Sequence, residues 1–412
     1  MTMELRSVDA EVLDGFVSSS TSVHYMKTSA WGRFKQKSEH CDYELLGFYD
    51  NDELKATAMV LKGKKLGHSC LYVPKGPCMD CQDEQAVKEV FTLLKKHADE
   101  ENVQFLRVDP NVIRMHKDIE GNPLNDGFDN EHVTQQLKNL GYVHKGYGYA
   151  YDGSWSNRFT LIVDLDRDMK DVIAGFSRNR RTSINRHAVT HVTTRLGTRD
   201  DLPSLMEFER QLSEQDGFKP HSRQFFEDIL DCFGDHARLY VTEIDLKAMI
   251  NGIENELSSK KYAKDPEARA AKQKQLEQAG ELMGQYGAKP AIASGLFVYA
   301  GDMSFDLYAY NHKAFNFTNP VDSMHLFAMQ DMKEHGVKRY DMCGFSGVTD
   351  KSDPYYGLYA YKRSFGGTFT EYIGQFDYVR DPGAMKRMVM EHRIEYHFRR
   401  KWLDFRYKKI QK

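Results

Sequence analysis

Residues 356–374, YGLYAYKRSFGGTFTEYIG, set Lys362 and Arg363 among aromatic side chains and follow them with the pair Gly366 and Gly367. A cation enclosed by rings sits where water is scarce and its field is strong, and paired glycines let a backbone or a ligand come close. The plainer reading is a surface lysine beside a glycine turn. Residues 178–186, RNRRTSINR, bring four arginines into about two helical turns, either a charged surface or a contact for anions. Asp109 precedes Pro110, where a turn aspartate is ordinary. No G-x-S-x-G elbow, H-E-x-x-H pair or G-x-x-x-x-G-K-S/T loop is present. Cys78 and Cys81 form the one C-x-x-C, but no second pair accompanies it, and Pro77 and Asp80 oppose a stable thiolate. No metal, redox centre or disulfide framework is expected.

Length and composition fit an ordinary globular chain: 412 residues, 41% hydrophobic and 28% charged. The net charge of -3 hides an asymmetry, because residues 383–412 carry ten Lys/Arg against three Asp/Glu. That tail is +7 and the remainder -10, and basic segments seek anions. Its rings Tyr396, Phe398, Trp402, Phe405 and Tyr407 alternate with Arg399, Arg400, Lys401, Arg406 and Lys408. A helix so patterned docks through half its rings and leaves an outer face for an RNA backbone or an anionic membrane surface. A second basic run, Lys260, Lys261, Lys264, Arg269, Lys272 and Lys274, is either a solvated helix face or a contact for a polyanion. Without an apolar run of eighteen residues or a signal-like start, the chain is expected in the cytoplasm, with peripheral contact at the membrane face left open.

The elements that must position these residues are of mixed α/β type. Three strands across 43–73, a helix over about 84–100 and the strand VQFLRVDP make one small unit. RFTLIVDL, helices at 168–188 and 200–216, the helix QFFEDILDCF, and the strands ARLYVTEI, IASGLFVYAG and MSFDLYAYN begin a second. A helix over about 320–335 then leads to VKRYDMCGF, matching VQFLRVDP as the strand after a long helix. Residues 1–155 are expected to form one subdomain, 156–243 with 290–380 a second, and 381–412 a basic C-terminal helix. Residues 244–289 carry two apolar stripes broken at Asp265-Pro266, which predicts an inserted antiparallel helical hairpin, a coiled-coil arm.

The chain resembles the FemABX family of peptidoglycan-bridge aminoacyltransferases, on TSAWGRFK (28–35), LYVPKGPCMD (71–80), FLRVDP (105–110), RFTLIVDL with FSRNRRTSINRH, and YGLYAYKRSFGGTFTEYIGQFDYV. The resemblance spans nearly the whole chain and implies two tandem acetyltransferase-like (GNAT-like) subdomains. It implies transfer of an amino acid from aminoacyl-tRNA to the side-chain amine of the third stem-peptide residue of a lipid-linked or UDP-linked precursor. Aminoacyl-tRNA is then the co-substrate, no cofactor is needed, and a monomer is expected. Residue by residue, Lys362 falls on the family's lysine, with Tyr361 in place of a frequent phenylalanine. Lys35 after Trp31, Asp80 and Asp109 fall on positions tied to the precursor site. Arg223 lies near a family arginine, and Tyr308 and Tyr310 compete for one tyrosine position. PKGP stands where many relatives have PRGP, a point charge in place of a bidentate fork. Lys260, Lys261, Lys264, Arg399 and Arg400 are the candidates for tRNA.

Such a reaction gives Lys362 its purpose, since an ammonium fixed near the forming oxyanion stabilises the transition state. Asp109 could receive or relay the proton of the attacking amine. Two other classes compete. A coenzyme A-dependent N-acyltransferase would use RSFGGT as its loop, but Thr368 and the missing preceding strand weaken the match to Q/R-x-x-G-x-G/A. A non-catalytic RNA-binding protein would rest on the basic arm and tail.

Overall fold

Apolar alternation and β-branched or aromatic content build the strands Asp42–Asp50, Glu53–Lys65 and His68–Val73, joined by tight turns at Asn51-Asp52 and Gly67. The computed structural model describes residues 3–65, 67–125, 129–149, 154–259, 262, 264–387 and 389–391. Helix Glu84–Glu100 starts where the Asp83 carboxylate accepts the Ala86 N–H at 2.9 Å and buries Val87, Val90, Phe91, Leu94 and Ala98 on one face. It returns the chain to strand Phe105–Val108, parallel to His68–Val73. The second half repeats the device: strand Met303–Asn311, helix Pro320–Glu334, then the parallel strand Arg339–Gly344.

Among the described residues, two eight-stranded mixed sheets result. The first runs Glu4–Ser7, Asp42–Asp50, Glu53–Lys65, His68–Val73, Phe105–Val108, Phe376–Val379, Val143–His144, with Cys78–Met79 paired on Glu53–Lys65. The second runs Val192–Leu196, Ala237–Ile244, Ala291–Ala300, Met303–Asn311, Arg339–Gly344, Phe159–Asp164, Thr368–Tyr372, Ile113–Lys117. The ranges 1–155 and 156–380 each lend one strand to the other's sheet: Ile113–Lys117 pairs with Thr368–Tyr372, and Phe376–Val379 with Phe105–Val108. One apolar cluster also spans both, joining Met59 and Leu61 to Leu296, Val298 and Phe305 through Leu13, Trp31 and Phe34. The helical stretch foreseen at 168–188 is divided into Met169–Ala174 and Arg178–Thr190, with Gly175, Phe176 and Ser177 between.

Within the insertion, helices Leu246–Leu257 and Pro266–Tyr286 lie side by side. Leu246 and Met249 share a cluster with Leu282, Met283 and Tyr286, while farther out Glu256 pairs with Lys272 at 2.8 Å and Arg269 donates to the Leu257 carbonyl at 3.0 Å. Of the expected basic helix of 381–412, residues 382–387 and 389–391 are helical, while 388 and 392–412 lie outside the described residues. No helix among them is long and apolar enough to cross a membrane.

Candidate active site

Where the two sheets meet lies a cavity of about 150 Å³ lined by polar groups from both halves. Lys75 enters from the turn after strand His68–Val73, Ser156 and Asn157 from the link between halves, and Asp341, Cys343 and Gly344 from strand Arg339–Gly344. His24, Tyr25 and Met26 cover one side and Tyr372 another. Asp109 stands just behind. It is 2% exposed and receives the Lys75 backbone N–H at 2.6 Å, the Tyr72 hydroxyl at 3.2 Å and the Ser156 hydroxyl. Burial raises its pKa, and the charge of Lys75 and these donors oppose the rise. A turn aspartate beside proline is normally solvated, so its enclosure marks it as part of the site.

Lys362 comes from helix Tyr356–Arg363 and is buried. Its ammonium donates to the carbonyls of Met342, of Cys343 at 3.1 Å and of Gly344 at 2.9 Å. An ammonium has three donors, so all are engaged. Lys362 therefore stands one backbone layer behind the cavity wall that Cys343 and Gly344 form. Around it, Asp306 is pushed up to about 7 by burial against the opposing charge of Lys362. Burial raises the Asp341 carboxyl too, although Thr160 and the Cys343 N–H, at 2.7 Å, donate to it. His325 is pushed down to about 3 by burial and by Lys362 and Arg180, and bonds the Tyr340 hydroxyl at 2.8 Å. Tyr361 lies beside this group under the Arg180 guanidinium, 4.6 Å from the ring centre. Arg180 in turn donates to Ser364 at 2.9 Å and pairs with buried Asp322, so one arginine of RNRRTSINR anchors the end of the lysine's helix. Gly366, at φ +73, packs so close to the Gly175 backbone that any side chain would collide, which shows that the double glycine serves backbone contact.

The remaining expected residues fall at graded distances. Trp31 meets Tyr25 edge-on at 5.2 Å and so touches the cavity's cover. Lys35 lies 4.8 Å over the Trp31 ring and bonds Glu39 at 2.5 Å. Tyr308 and Tyr310 pack on the same apolar cluster as Trp31; Tyr310 donates to buried Glu209 at 3.2 Å, and Tyr308 stands edge-on to His221 and Phe226. Arg223 points outward, paired with Glu227 at 2.7 Å. Asp80 is exposed and caps the Gln82 N–H at 2.9 Å. Lys264 is exposed beside the inserted helices, whereas Lys260, Lys261, Arg399 and Arg400 lie outside the described residues.

Sequence reasoning met Lys75 only as the point charge of PKGP and passed over Thr160, Asp306, His325 and Asp341. The signal existed for two of them, because RYDMC and SFDLY each carry a carboxylate inside an apolar strand, where a charge is costly unless used. It also passed over Glu371 of TFTEYIG, which is fully buried and holds Lys117 at 2.6 Å, Arg114 at 2.8 Å and Arg158 at 3.0 Å.

Fold and site together define a class: a two-sheet α/β protein with a buried seam of ammonium and carboxylate groups. The FemAB family model matches residues 8–389. Over 92% of its length the chain is 25% identical to the lipid II:glycine glycyltransferase of Staphylococcus haemolyticus (strain JCSC1435) and 26% to that of Staphylococcus aureus (strain MRSA252), covering 93% of each. Among solved structures, FemX superposes with a TM-score of 0.77 at 23% identity, over 93% of this chain and 99% of that one. The chain belongs to the FemAB family. It is an enzyme, a tRNA-dependent aminoacyltransferase of peptidoglycan bridge formation.

Proposed function

We propose that the chain moves a single amino acid from aminoacyl-tRNA to the side-chain amine of the third stem-peptide residue of a precursor carrying a lipid or a nucleotide. One observation carries the reading: the polar cavity shared by both sheets, with Asp109 and Lys362 beside it, in a chain matched to the FemAB family over 8–389. The two halves are then acetyltransferase-like units, and the paired helices of the insertion an arm.

An unperturbed lysine-type amine titrates near about 10.4, so the acceptor arrives protonated. Asp109, buried and raised in pKa, is suited to hold that ammonium and take or pass on its proton. The freed nitrogen attacks the ester carbonyl carbon, the C–N bond forms, and the carbonyl electron pair moves onto oxygen. As the pair returns, the C–O bond to the tRNA ribose breaks and the ribose oxygen leaves with a proton. Lys362, its hydrogens engaged by the 342–344 carbonyls, acts on the oxyanion through its field across that backbone, for which the contribution of a donor in direct contact, on the order of 3 kcal/mol or roughly a hundredfold in rate, is an upper bound. Trp31, Lys35, Asp80, Arg223, Tyr308 and Tyr310 are proposed for the precursor, and Tyr361 for positioning Lys362. Lys264, with Lys260, Lys261, Arg399 and Arg400, is proposed for tRNA.

The test is incubation with a set of aminoacyl-tRNAs and both precursor types, followed by mass analysis of the acceptor. A precursor heavier by one aminoacyl group on its third residue is expected. Release of free coenzyme thiol from an acyl-coenzyme A would replace this reading with an N-acyltransferase, and a salt-sensitive tRNA complex without product would replace it with a binding protein.

A further inference from the structure

The arginines of RNRRTSINR are only partly accounted for by the site. Helix Arg178–Thr190 turns Arg180, Ser183, Ile184 and His187 inward at the three- and four-residue spacing of one face, and buried His187 donates from Nε2 to the Thr318 carbonyl at 2.9 Å. At about 100° per residue, the outward arc carries Arg178, Arg181 and Arg186, with exposed Thr182 and Asn185 between them. Arg181 is half committed, donating to the Ala174 carbonyl at 2.8 Å and to that of Phe176. Arg178 and Arg186 are exposed, and their guanidinium groups have no hydrogen bond or ion pair among the described residues.

The same stretch of chain offers them no counter-charge. Residues 172–199 hold six arginines and no Asp or Glu, although Asp and Glu number 60 of 412 residues and solvated helix faces ordinarily mix both signs. Of the aspartates just ahead, Asp164 and Asp166 pair with Arg167 at 3.9 Å and Lys338 at 3.2 Å, and Asp168 and Asp171 stand at the N-terminus of the preceding helix. The position of the helix is the second observation. Its first turn is fixed against the helix of Lys362, because the Ser177 N–H donates to the Ser364 carbonyl at 2.8 Å and Arg180 Nε to Ser364 Oγ at 2.9 Å. Its far end abuts the insertion: the His191 carbonyl accepts the Asp245 N–H at 3.0 Å, and a Cβ on Gly252 would come 3.7 Å from His191 Nε2. Thirteen residues span about 20 Å, so the unpaired arginines lie along the way from the inserted helices to Lys362.

We propose that the outward face of helix Arg178–Thr190 binds the phosphate backbone of the aminoacyl-tRNA between its body and its 3′ end, Arg178 and Arg186 each meeting a phosphate and Thr182 and Asn185 donating beside them. The inference rests on the aminoacyl-transfer reading above, which supplies the RNA, and adds the surface that leads it from the insertion to the seam. An anionic membrane is the poorer match. A helix lying in a membrane interface turns apolar side chains outward, and this arc offers Val189 alone among three arginines, a threonine and an asparagine.

The experiment uses the full chain and measures filter binding of tRNA over a salt series, together with transfer to a UDP-linked stem peptide. Arg178→Gln and Arg186→Gln combined should lower the slope of log affinity against log salt by about 1.5, at roughly 0.7 to 0.9 per phosphate, and weaken binding about tenfold or more at low salt. The melting temperature should not move, since both side chains are exposed and unpaired. The KM for tRNA should rise while kcat at saturating tRNA and the precursor KM stay within about twofold. Lysine at both positions should restore the slope, because a point charge suffices for a phosphate. An unchanged slope overturns the proposal, as does a loss that lysine fails to restore. A loss seen only as a raised precursor KM overturns it in favour of the precursor's phosphates, and one seen only in sedimentation with phosphatidylglycerol vesicles overturns it in favour of a membrane. Transfer by wild type with unaffected variants sinks this inference alone; a lowered slope in the variants without transfer by wild type leaves the RNA surface standing and sinks the reading above.

Discussion

Lys362 carries a structural debt along with its chemical one. Replacing it with methionine leaves the carbonyls of Met342, Cys343 and Gly344 without their donor, at roughly 1–3 kcal/mol for each buried orphan. Lys362→Met should therefore lower both stability in urea and kcat, the latter by up to about a hundredfold. A variant of normal stability with normal turnover would remove the residue from both roles. Asp306 makes a prediction of opposite sign. Its folded pKa of about 7 lies above an unfolded value near about 3.9, so between these the native state holds a proton that the unfolded state releases. Stability then falls as pH rises through that window, by at most about 1.4 kcal/mol per unit, and the loss levels off above it. Asp306→Asn mimics the neutral acid, so its stability relative to wild type should climb from pH ~4 to ~7 and then stay flat, which denaturation across pH measures. None of this could be read from the chain. Lys362 showed only as a cation among rings, and its role, like that of Asp109, came through the resemblance; Lys75 showed only as the point charge of PKGP, and its positive φ is a backbone angle no spacing encodes.

Elements were the most legible scale, because each strand and helix announces itself by its own periodicity. Helix Glu84–Glu100 and strands Ala237–Ile244 and Met303–Asn311 follow the apolar pattern closely, with a helix cap at Asp83 and a turn between strands at Gly301. What the pattern cannot carry is partnership between distant strands. Ile113–Lys117 belongs to the first half of the sequence, yet it is bound into the second sheet by backbone pairing and by Glu371, which pairs with Lys117, Arg114 and Arg158. Glu371→Gln leaves three cations around a neutral amide and should destabilise the protein by about 3–5 kcal/mol, read as a lower melting temperature. A change below about 1 kcal/mol would mean that the strand exchange is held by backbone alone. Arg180 belongs to the same scale. Four clustered arginines suggested anion binding, but this one ties the Ser364 end of the lysine's helix to Asp322.

Across the whole molecule, the exchange of strands explains why the polar cavity, the proposed reaction centre, sits between halves. Each half lends a strand to the other's sheet, and Lys75 of one half and Asp341 of the other line one cavity. Lys264, Arg269, Lys272 and Lys274 of the insertion are not among the residues that line the cavity, and the proposed contact with the tRNA body falls to them. Lys264→Ala should weaken tRNA binding and reduce the slope of log affinity against log salt by somewhat less than about one, measured by filter binding over a salt series; an unchanged slope would clear that lysine of phosphate contact. The most direct trial of the account is a crystal of the full chain with a stem-peptide precursor and an adenosine bearing an amide-linked glycyl group. The account predicts the glycyl carbonyl in the cavity between the sheets, with the acceptor amine beside Asp109. Ordered ligand bound at any other surface, with that cavity left to solvent, would contradict it.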